Sequence, residues 1–255
     1  MIKAFVFDLD GTLAQTEILK AHSYAKAVEK LKPEKYKSRT LINFYRKLVG
    51  HSREEVANFF LQKFKIEKES ERIAKDLKIK EPWEAFVKIR LDYYFEFLEN
   101  PRTLKTVKCQ YSTNLLKKVK QQNYKTALAT TSHLDEATKV LETLGLKDQF
   151  NFIATRDMIE NTKPDPEIYK LVLSKLKVKP AECVAIEDSM TGIKAALAAK
   201  VNCIAATNDY TKESVNKSKL LDRKWIVNDL KNLGDSQRHV AGVSRARWRT
   251  APSRP

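Results

Sequence analysis

The sequence is poor in the residues that punctuate or staple irregular folds. Only six glycines occur in 255 residues, and neither GxxxxGK nor GxGxxG is among the motifs. Nucleotide binding through a P-loop or a dinucleotide fingerprint is therefore excluded. The three cysteines, Cys109, Cys183 and Cys203, lie far apart with no CxxC pair. Such a set fits neither a disulfide framework nor a zinc site and reads as buried free thiols. No run of 18 apolar residues exists, and the opening MIKAFVFDLD is too short an apolar stretch for a spanning helix or a signal-peptide core. A cytoplasmic protein with no membrane partner is expected.

Acidic residues are also in short supply: 48 Lys and Arg face 32 Asp and Glu, a formal net charge of +16. Such a balance raises the question of nucleic acid. Part of the excess lies in residues 236–255, which hold five arginines but neither a lysine nor an acid. That break in composition reads as a disordered basic tail of foreign origin, outside the fold. The lysines of the body (Lys117, Lys118, Lys120, Lys175, Lys177 and Lys179 among them) are spread along helical segments, the pattern of solvated faces, with steering of anionic substrates as the alternative. No zinc finger, RNP-like strand or helix-turn-helix can be placed. A nucleic-acid-binding protein is thus kept only as the alternative from another functional class, and nucleic acid is not an expected partner.

The apolar residues, 42% of the chain, are organised. Residues 3–8 form an unbroken apolar run ending at an acid, the mark of a strand buried on both faces of a parallel sheet. Similar runs recur at residues 124–130, 150–154, 183–187, 202–206 and 225–227, with helical patterns at 113–122, 134–144, 166–176 and 189–199 between them. The alternation predicts an α/β fold: a doubly wound, Rossmann-like parallel sheet with its site at the carboxyl ends of the strands.

Residues 15–100 break the rhythm with about four amphipathic helices. One places Ile18, Ala21, Ala25, Val28 and Leu31 on a face. Another opens with Ser52 and Glu55 spaced as a capping box, followed by Val56, Phe59, Phe60 and Phe64. The last, after Pro82, carries Trp83, Val87, Tyr94 and Phe97 on one stripe. The expected organisation is a catalytic core of residues 1–14 and 106–235, with an inserted all-helical cap domain over 15–105.

The chemistry gathers at strand ends. Asp8 and Asp10 are two apart, so they project together where the first strand gives way to a loop. Two such carboxylates repel unless a cation lies between them or one is protonated, and Mg²⁺ with a phosphate oxygen suits the pair. A capped turn is the alternative. Further on, Thr130, Thr131 and Ser132 end a strand with hydroxyls that can meet a phosphoryl oxygen. Lys163 stands in Thr162-Lys163-Pro164-Asp165-Pro166 before a helix, and Glu187-Asp188-Ser189 end another strand directly before a helix N-terminus. Singly, Lys163 reads equally as a solvated lysine and Asp188 as an N-cap; four such features in order on one sheet do not.

The blocks DLDGT, ATTS, KPDP and EDS resemble the haloacid dehalogenase-like hydrolase superfamily over residues 1–235. The insert resembles the helical-cap subgroup that includes beta-phosphoglucomutase and sugar-phosphate phosphatases. The resemblance implies that Asp8 is the nucleophile, forming an aspartyl phosphate, and that Asp10 is the general acid and base. It also implies that Thr130 and Lys163, with Thr131, hold the phosphoryl oxygens. Mg²⁺ would be bound by Asp8, Asp188, the backbone carbonyl of Asp10 and, more weakly, Glu187. The acid at position 10 favours phosphate-ester over dehalogenase chemistry.

In the cap, Val49-Gly50-His51-Ser52-Arg53-Glu54 resembles a loop whose arginine grips a distal phosphate, which carries that role onto Arg53; a charged first-turn helix residue is the alternative. Arg90 lies on an apolar stripe, where a charge must pair or face a cavity, and an ion pair with a cap glutamate is its alternative. Thr16 matches a hinge threonine. Lys20 stands where the mutase has a histidine, and Cys109-Gln110-Tyr111-Ser112 replaces a usual Pro-Gly, so hydrolysis is favoured over a mutase. The expected function is a Mg²⁺-dependent phosphatase of a small, sugar-like phosphomonoester, with a phosphomutase as the alternative. The expected partner is a small phosphorylated metabolite, and the expected state a monomer or weak dimer.

Overall fold

The computed structural model describes residues 1–49 and 51–233; the tail 236–255 lies outside them. In chain order, β1 (Ala4–Phe7) is followed by α1 (Glu17–Leu31), α2 (Ser38–Arg46), α3 (Arg53–Phe64), α4 (Glu67–Asp76), α5 (Pro82–Glu99) and α6 (Pro101–Val107). The strands then alternate with helices: α7 (Gln110–Gln121), β2 (Lys125–Ala129), α8 (Leu134–Thr143), β3 (Phe152–Ala154), α9 (Glu167–Leu176), β4 (Cys183–Glu187), α10 (Met190–Ala198), β5 (Asn202–Ala206), α11 (Lys212–Ser218) and β6 (Ile226–Val227). Two compact units result, one of residues Thr16–Thr103 and one of Met1–Gln15 with the described residues from Leu104 on. Among the described residues no helix is long and apolar enough to cross a membrane.

All six strands pair in parallel, in the order β3-β2-β1-β4-β5-β6. Every residue of β1 and β4 is buried, as a parallel sheet covered on both faces requires. Successive side chains alternate between faces. Ala4, Val6, Ala127, Ala129, Cys183, Ala185, Cys203 and Ala205 share one apolar cluster with Ile168, Tyr169 and Val172 of α9 and Ile193, Ala195 and Ala196 of α10. Small residues on the strands let these helices lie close to the sheet. The three cysteines are free and buried, and burial pushes the thiols of Cys109 and Cys183 up to about 11 and about 12. The order reverses between β1 and β4, the point at which α/β sheets open a crevice beyond the carboxyl ends of adjacent strands.

The helical unit has its own core. Tyr24 stacks on Tyr45 and Phe60, with ring centroids 5.3 and 5.0 Å apart, and Phe60 also meets Phe44 edge-on. Five helices lie in this unit before α6, where the apolar pattern predicts about four. The three helices read residue by residue are α1, α3 and α5; α4, EKESERIAKD, buries only Ser70 and Ala74, and a helix with so little apolar stripe leaves little periodic trace. The capping box of Ser52 and Glu55 is present at the start of α3, but Phe59, expected on its apolar face, is 40% exposed. On α5, Val87 and Tyr94 of the expected stripe are buried and Trp83 and Phe97 half-buried, while Phe86, Ile89 and Leu98 complete the buried side.

Phe60 is fully buried among four aromatic rings. Phe60→Ala is expected to cost about 3–5 kcal/mol of stability, measured by chemical denaturation. A loss below about 1 kcal/mol would place the core of this unit elsewhere.

Candidate active site

The loop after β1 is built by backbone geometry. Asp8 continues the strand by donating its N–H to Ile186 O at 3.0 Å, and the chain then folds tightly, with Gly11 N–H bonded to Ala14 O at 2.7 Å. Gly11 has φ +87°, and a Cβ there would lie 2.2 Å from Asp188 Oδ2, so both conformation and space require glycine. The partner loop follows β4, which ends at Glu187. Ser189, not Asp188, caps α10: its Oγ accepts the Gly192 N–H at 3.1 Å. Asp188 is thereby spared the capping role that its position in the sequence allows. A Cβ on residue 192 would meet Glu187 Oε2 at 1.9 Å, so Gly192 makes the space in which that carboxylate sits.

Lys163 is not a solvated lysine. Its side chain is 5% exposed, and Nζ donates to Asp8 Oδ1 at 2.8 Å, Glu187 Oε1 at 2.6 Å and Ala129 O at 2.8 Å. The Tyr169 hydroxyl, also buried, donates to the same Glu187 Oε1 at 2.6 Å. Glu187 Oε2 is buried with no hydrogen-bond partner among the described residues. Asp8, Glu187 and Asp188 each bring one carboxylate oxygen to a common place, all within 4.8 Å of one another. One ammonium cannot neutralise three buried carboxylates. The orphaned Glu187 oxygen and this all-carboxylate donor set fit a hard divalent cation.

Burial pushes the Asp8 carboxyl up to about 7; Lys163 opposes the shift while Glu187 and Asp10 add to it. Burial would lower Lys163, but Asp8 and Glu187 outweigh it and hold the ammonium charged well above the usual lysine range.

The Asp10 carboxylate is engaged differently from the other acids: the Ser132 hydroxyl donates to Asp10 Oδ2 at 2.5 Å. Thr130 is fully buried, and its Oγ1 accepts the Ser132 N–H at 3.0 Å, which fixes the turn after β2. Thr131 is exposed. Of the candidate metal ligands, the structure thus joins Asp8, Glu187 and Asp188 through their carboxylates and sets the Asp10 side chain apart with Ser132.

In the helical unit, Thr16 is buried at the start of α1. Lys20 Nζ donates to Glu17 Oε1 at 2.9 Å, and the Tyr45 hydroxyl donates to Glu17 Oε2 at 2.6 Å. Arg90 is 3% exposed, its guanidinium 5.1 Å from the ring of Tyr24 and 4.7 Å from that of Tyr94. Burial raises the Tyr24 hydroxyl above its ordinary range, opposed by the nearby charges of Arg90, Arg53 and Lys20. The three candidate cations of the cap therefore all act electrostatically on one tyrosine, as does Glu17, and Arg90 lies over its ring. His22 is exposed. Nothing local in the sequence marks Tyr169 or the partner of Ser132, because both act through residues distant in the chain; Glu17 likewise meets Tyr45 28 residues away.

The Asp8 carboxyl stands at about 7 in the folded chain against an ordinary 3.8, so between these values the folded state holds a proton that the unfolded state has released. Stability then falls as pH rises across that window. In EDTA, the melting temperature of the wild type is expected to drop across it relative to Asp8→Asn, which lacks the group and melts higher above neutrality. Parallel curves for the two proteins would contradict the shift.

With the site's geometry in place, the chain can be set beside known proteins. A family model described as haloacid dehalogenase-like hydrolase matches residues 5–206. A phosphorylated carbohydrates phosphatase of Thermotoga maritima is 30% identical over 203 residues, 80% of this chain and 84% of its own length. Protein CbbY of Cereibacter sphaeroides is 31% identical over 229 residues, 87% and 92% of the two chains. The crystal structure of a CbbY mutant from Rhodobacter sphaeroides in complex with xylulose-(1,5)bisphosphate aligns with a TM-score of 0.70 at 25% identity, covering 92% of this chain and 97% of that one. With a match running from β1 to the end of β5, and with its signature blocks converging at adjacent strand ends, the chain belongs to the haloacid dehalogenase-like hydrolase family.

Proposed function

We propose that the protein is a Mg²⁺-dependent phosphatase that hydrolyses a small, sugar-like phosphomonoester through an aspartyl phosphate on Asp8. The observation that carries this reading is the buried Lys163, bonded to both Asp8 and Glu187 beside a carboxylate oxygen that has no partner of its own. Asp8 attacks phosphorus; the new bond joins its carboxylate oxygen to phosphorus while the bond to the sugar oxygen breaks. Asp10, steadied by Ser132, gives its proton to the departing oxygen. It then takes a proton from a water that attacks phosphorus, releasing phosphate and restoring Asp8. Lys163 and Thr130 hold the phosphoryl oxygens in place as charge builds on them. A divalent cation held by Asp8, Glu187, Asp188 and the backbone carbonyl of Asp10 would neutralise the acidic group and the phosphoryl oxygens together.

The helical unit supplies recognition. Arg53, Arg90 and Lys20 form a cationic group around Tyr24 that suits an anionic, hydroxyl-rich substrate, with Thr16 and Glu17 beside Lys20 on the first turn of α1. Relatives named for phosphorylated carbohydrates and for a sugar bisphosphate complex support that class. Hydrolysis is preferred to a mutase reaction because position 20 carries a lysine held by Glu17 rather than a neutral acid–base group.

Phosphate release from a panel of sugar phosphates, nucleotides and small esters tests the reading. EDTA is expected to abolish release and added Mg²⁺ to restore it, and Asp8→Asn to lower kcat by at least about a thousandfold. Arg53→Ala is expected to raise KM about tenfold or more with little change in kcat, the loss of one charge-assisted hydrogen bond to substrate. Release that persists in Asp8→Asn would reject the nucleophile assignment.

A further inference from the structure

The chain leaves β5 at Ala206 and turns through Asn208, a position outside every signature block. The backbone of Asn208 is committed to this turn: its carbonyl accepts the N–H groups of Thr211 at 3.1 Å and Lys212 at 2.9 Å, and its own N–H donates to Thr211 Oγ1 at 3.3 Å. Its side-chain Oδ1 accepts the Tyr210 N–H at 2.9 Å. That bond fixes which way the amide faces, because an oxygen satisfied by a backbone donor leaves Nδ2 pointing away from the turn. Nδ2 donates to Asp188 Oδ2 at 2.7 Å and to Gly11 O at 3.2 Å. One NH₂ group thus bonds the acid after β4 and the loop after β1, the latter 197 residues away in sequence. Gly11 fits between them only for want of a side chain; a Cβ there would lie 2.9 Å from Nδ2.

We propose that Asn208 is a positioning residue for the catalytic cation, an assignment that rests on the cation-site reading above. By bonding Oδ2 of Asp188, its amide holds in place a carboxylate that brings one oxygen within 4.8 Å of oxygens of Asp8 and Glu187. By holding the carbonyl of Gly11, it fixes the backbone next to Asp10, whose own carbonyl is a ligand. Only a side chain with an acceptor and a donor at this spacing serves both the turn and the site. An apolar side chain of the same size leaves Asp188 Oδ2 without this donor, and a carboxylate would set oxygen against oxygen. Such outer partners orient the groups that ligate a metal and are worth roughly tenfold to a hundredfold in its affinity.

The test is Mn²⁺ binding to the full chain, followed by electron paramagnetic resonance of the free ion, in wild type, Asn208→Leu, Asn208→Ala and Asp188→Asn, together with the melting temperature of each in EDTA. The alanine variant adds no bulk and serves if the leucine variant does not fold. Both Asn208 variants are expected to bind Mn²⁺ roughly tenfold to a hundredfold more weakly. The Mg²⁺ concentration for half-maximal phosphate release should rise by the same factor, while substrate KM at saturating Mg²⁺ stays unchanged. Wild-type Mn²⁺ affinity in the Asn208 variants, with binding lost in Asp188→Asn, would overturn the role of Asn208 and leave the cation site standing. A lowered melting temperature with unchanged Mn²⁺ affinity would likewise overturn it, as a purely structural role. Undiminished binding by Asp188→Asn would overturn the cation site itself.

Discussion

At the carboxyl ends of β1 and β4, the carboxylates of Asp8, Glu187 and Asp188 are buried together, and the Lys163 ammonium pairs with the first two. Burial makes each ionised acid costly, which is why the Asp8 carboxyl rises to about 7. The same burial makes a divalent cation and a phosphoryl group welcome, since both interact more strongly where water is excluded. Buried, under-compensated acids of this kind cost stability, a common arrangement at sites kept for function.

The scaffold sets this cluster with few parts. Parallel pairing of β1 with β4 in register brings the ends of the two strands level, Phe7 beside Ile186, so the acids that follow emerge together. Gly11 and Gly192 leave room for the carboxylates of Asp188 and Glu187. Tyr169, from the α9 layer beneath the sheet, and Lys163 share Oε1 of Glu187 and leave its Oε2 without a hydrogen bond among the described residues. The turn after β2 repeats the pattern on a smaller scale: Thr130 fixes Ser132, and Ser132 holds the Asp10 carboxylate. Positioning throughout is by hydrogen bonds from buried or half-buried side chains on rigid strand ends, which holds reacting groups more closely than mobile loops would.

The sheet and the acids were legible in the sequence because parallel strands announce themselves as short apolar runs and end where the chemistry begins. Thus Cys183–Glu187 and Asn202–Ala206 could be bounded from composition alone. Thr131 and Ser132 show the limit of that reading: both are hydroxyls at a strand end, and only the pleat and turn decide that Ser132 is buried against Asp10 while Thr131 is exposed. Asn208 was invisible for a stronger reason. An asparagine after a strand is an ordinary turn former, and nothing local indicates that its second hydrogen-bonding group reaches two other loops. In the helical unit, α4 leaves little periodic trace because it has almost no apolar face. Arg90 was conspicuous as a charge on an apolar stripe, yet its placement over the rings of Tyr24 and Tyr94 depends on how α1 and α5 pack.

The most direct test of covalent phosphoryl transfer at Asp8 is chemical trapping during turnover. Borohydride added to the Mg²⁺-loaded enzyme and its best phosphate ester reduces an acyl phosphate to an alcohol, and mass spectrometry of the peptide spanning β1 locates the change. Conversion of the side chain at Asp8 to that of homoserine, dependent on both substrate and Mg²⁺, is the expected result. Steady turnover with Asp8 unmodified, or with the alcohol at another acid, would contradict it.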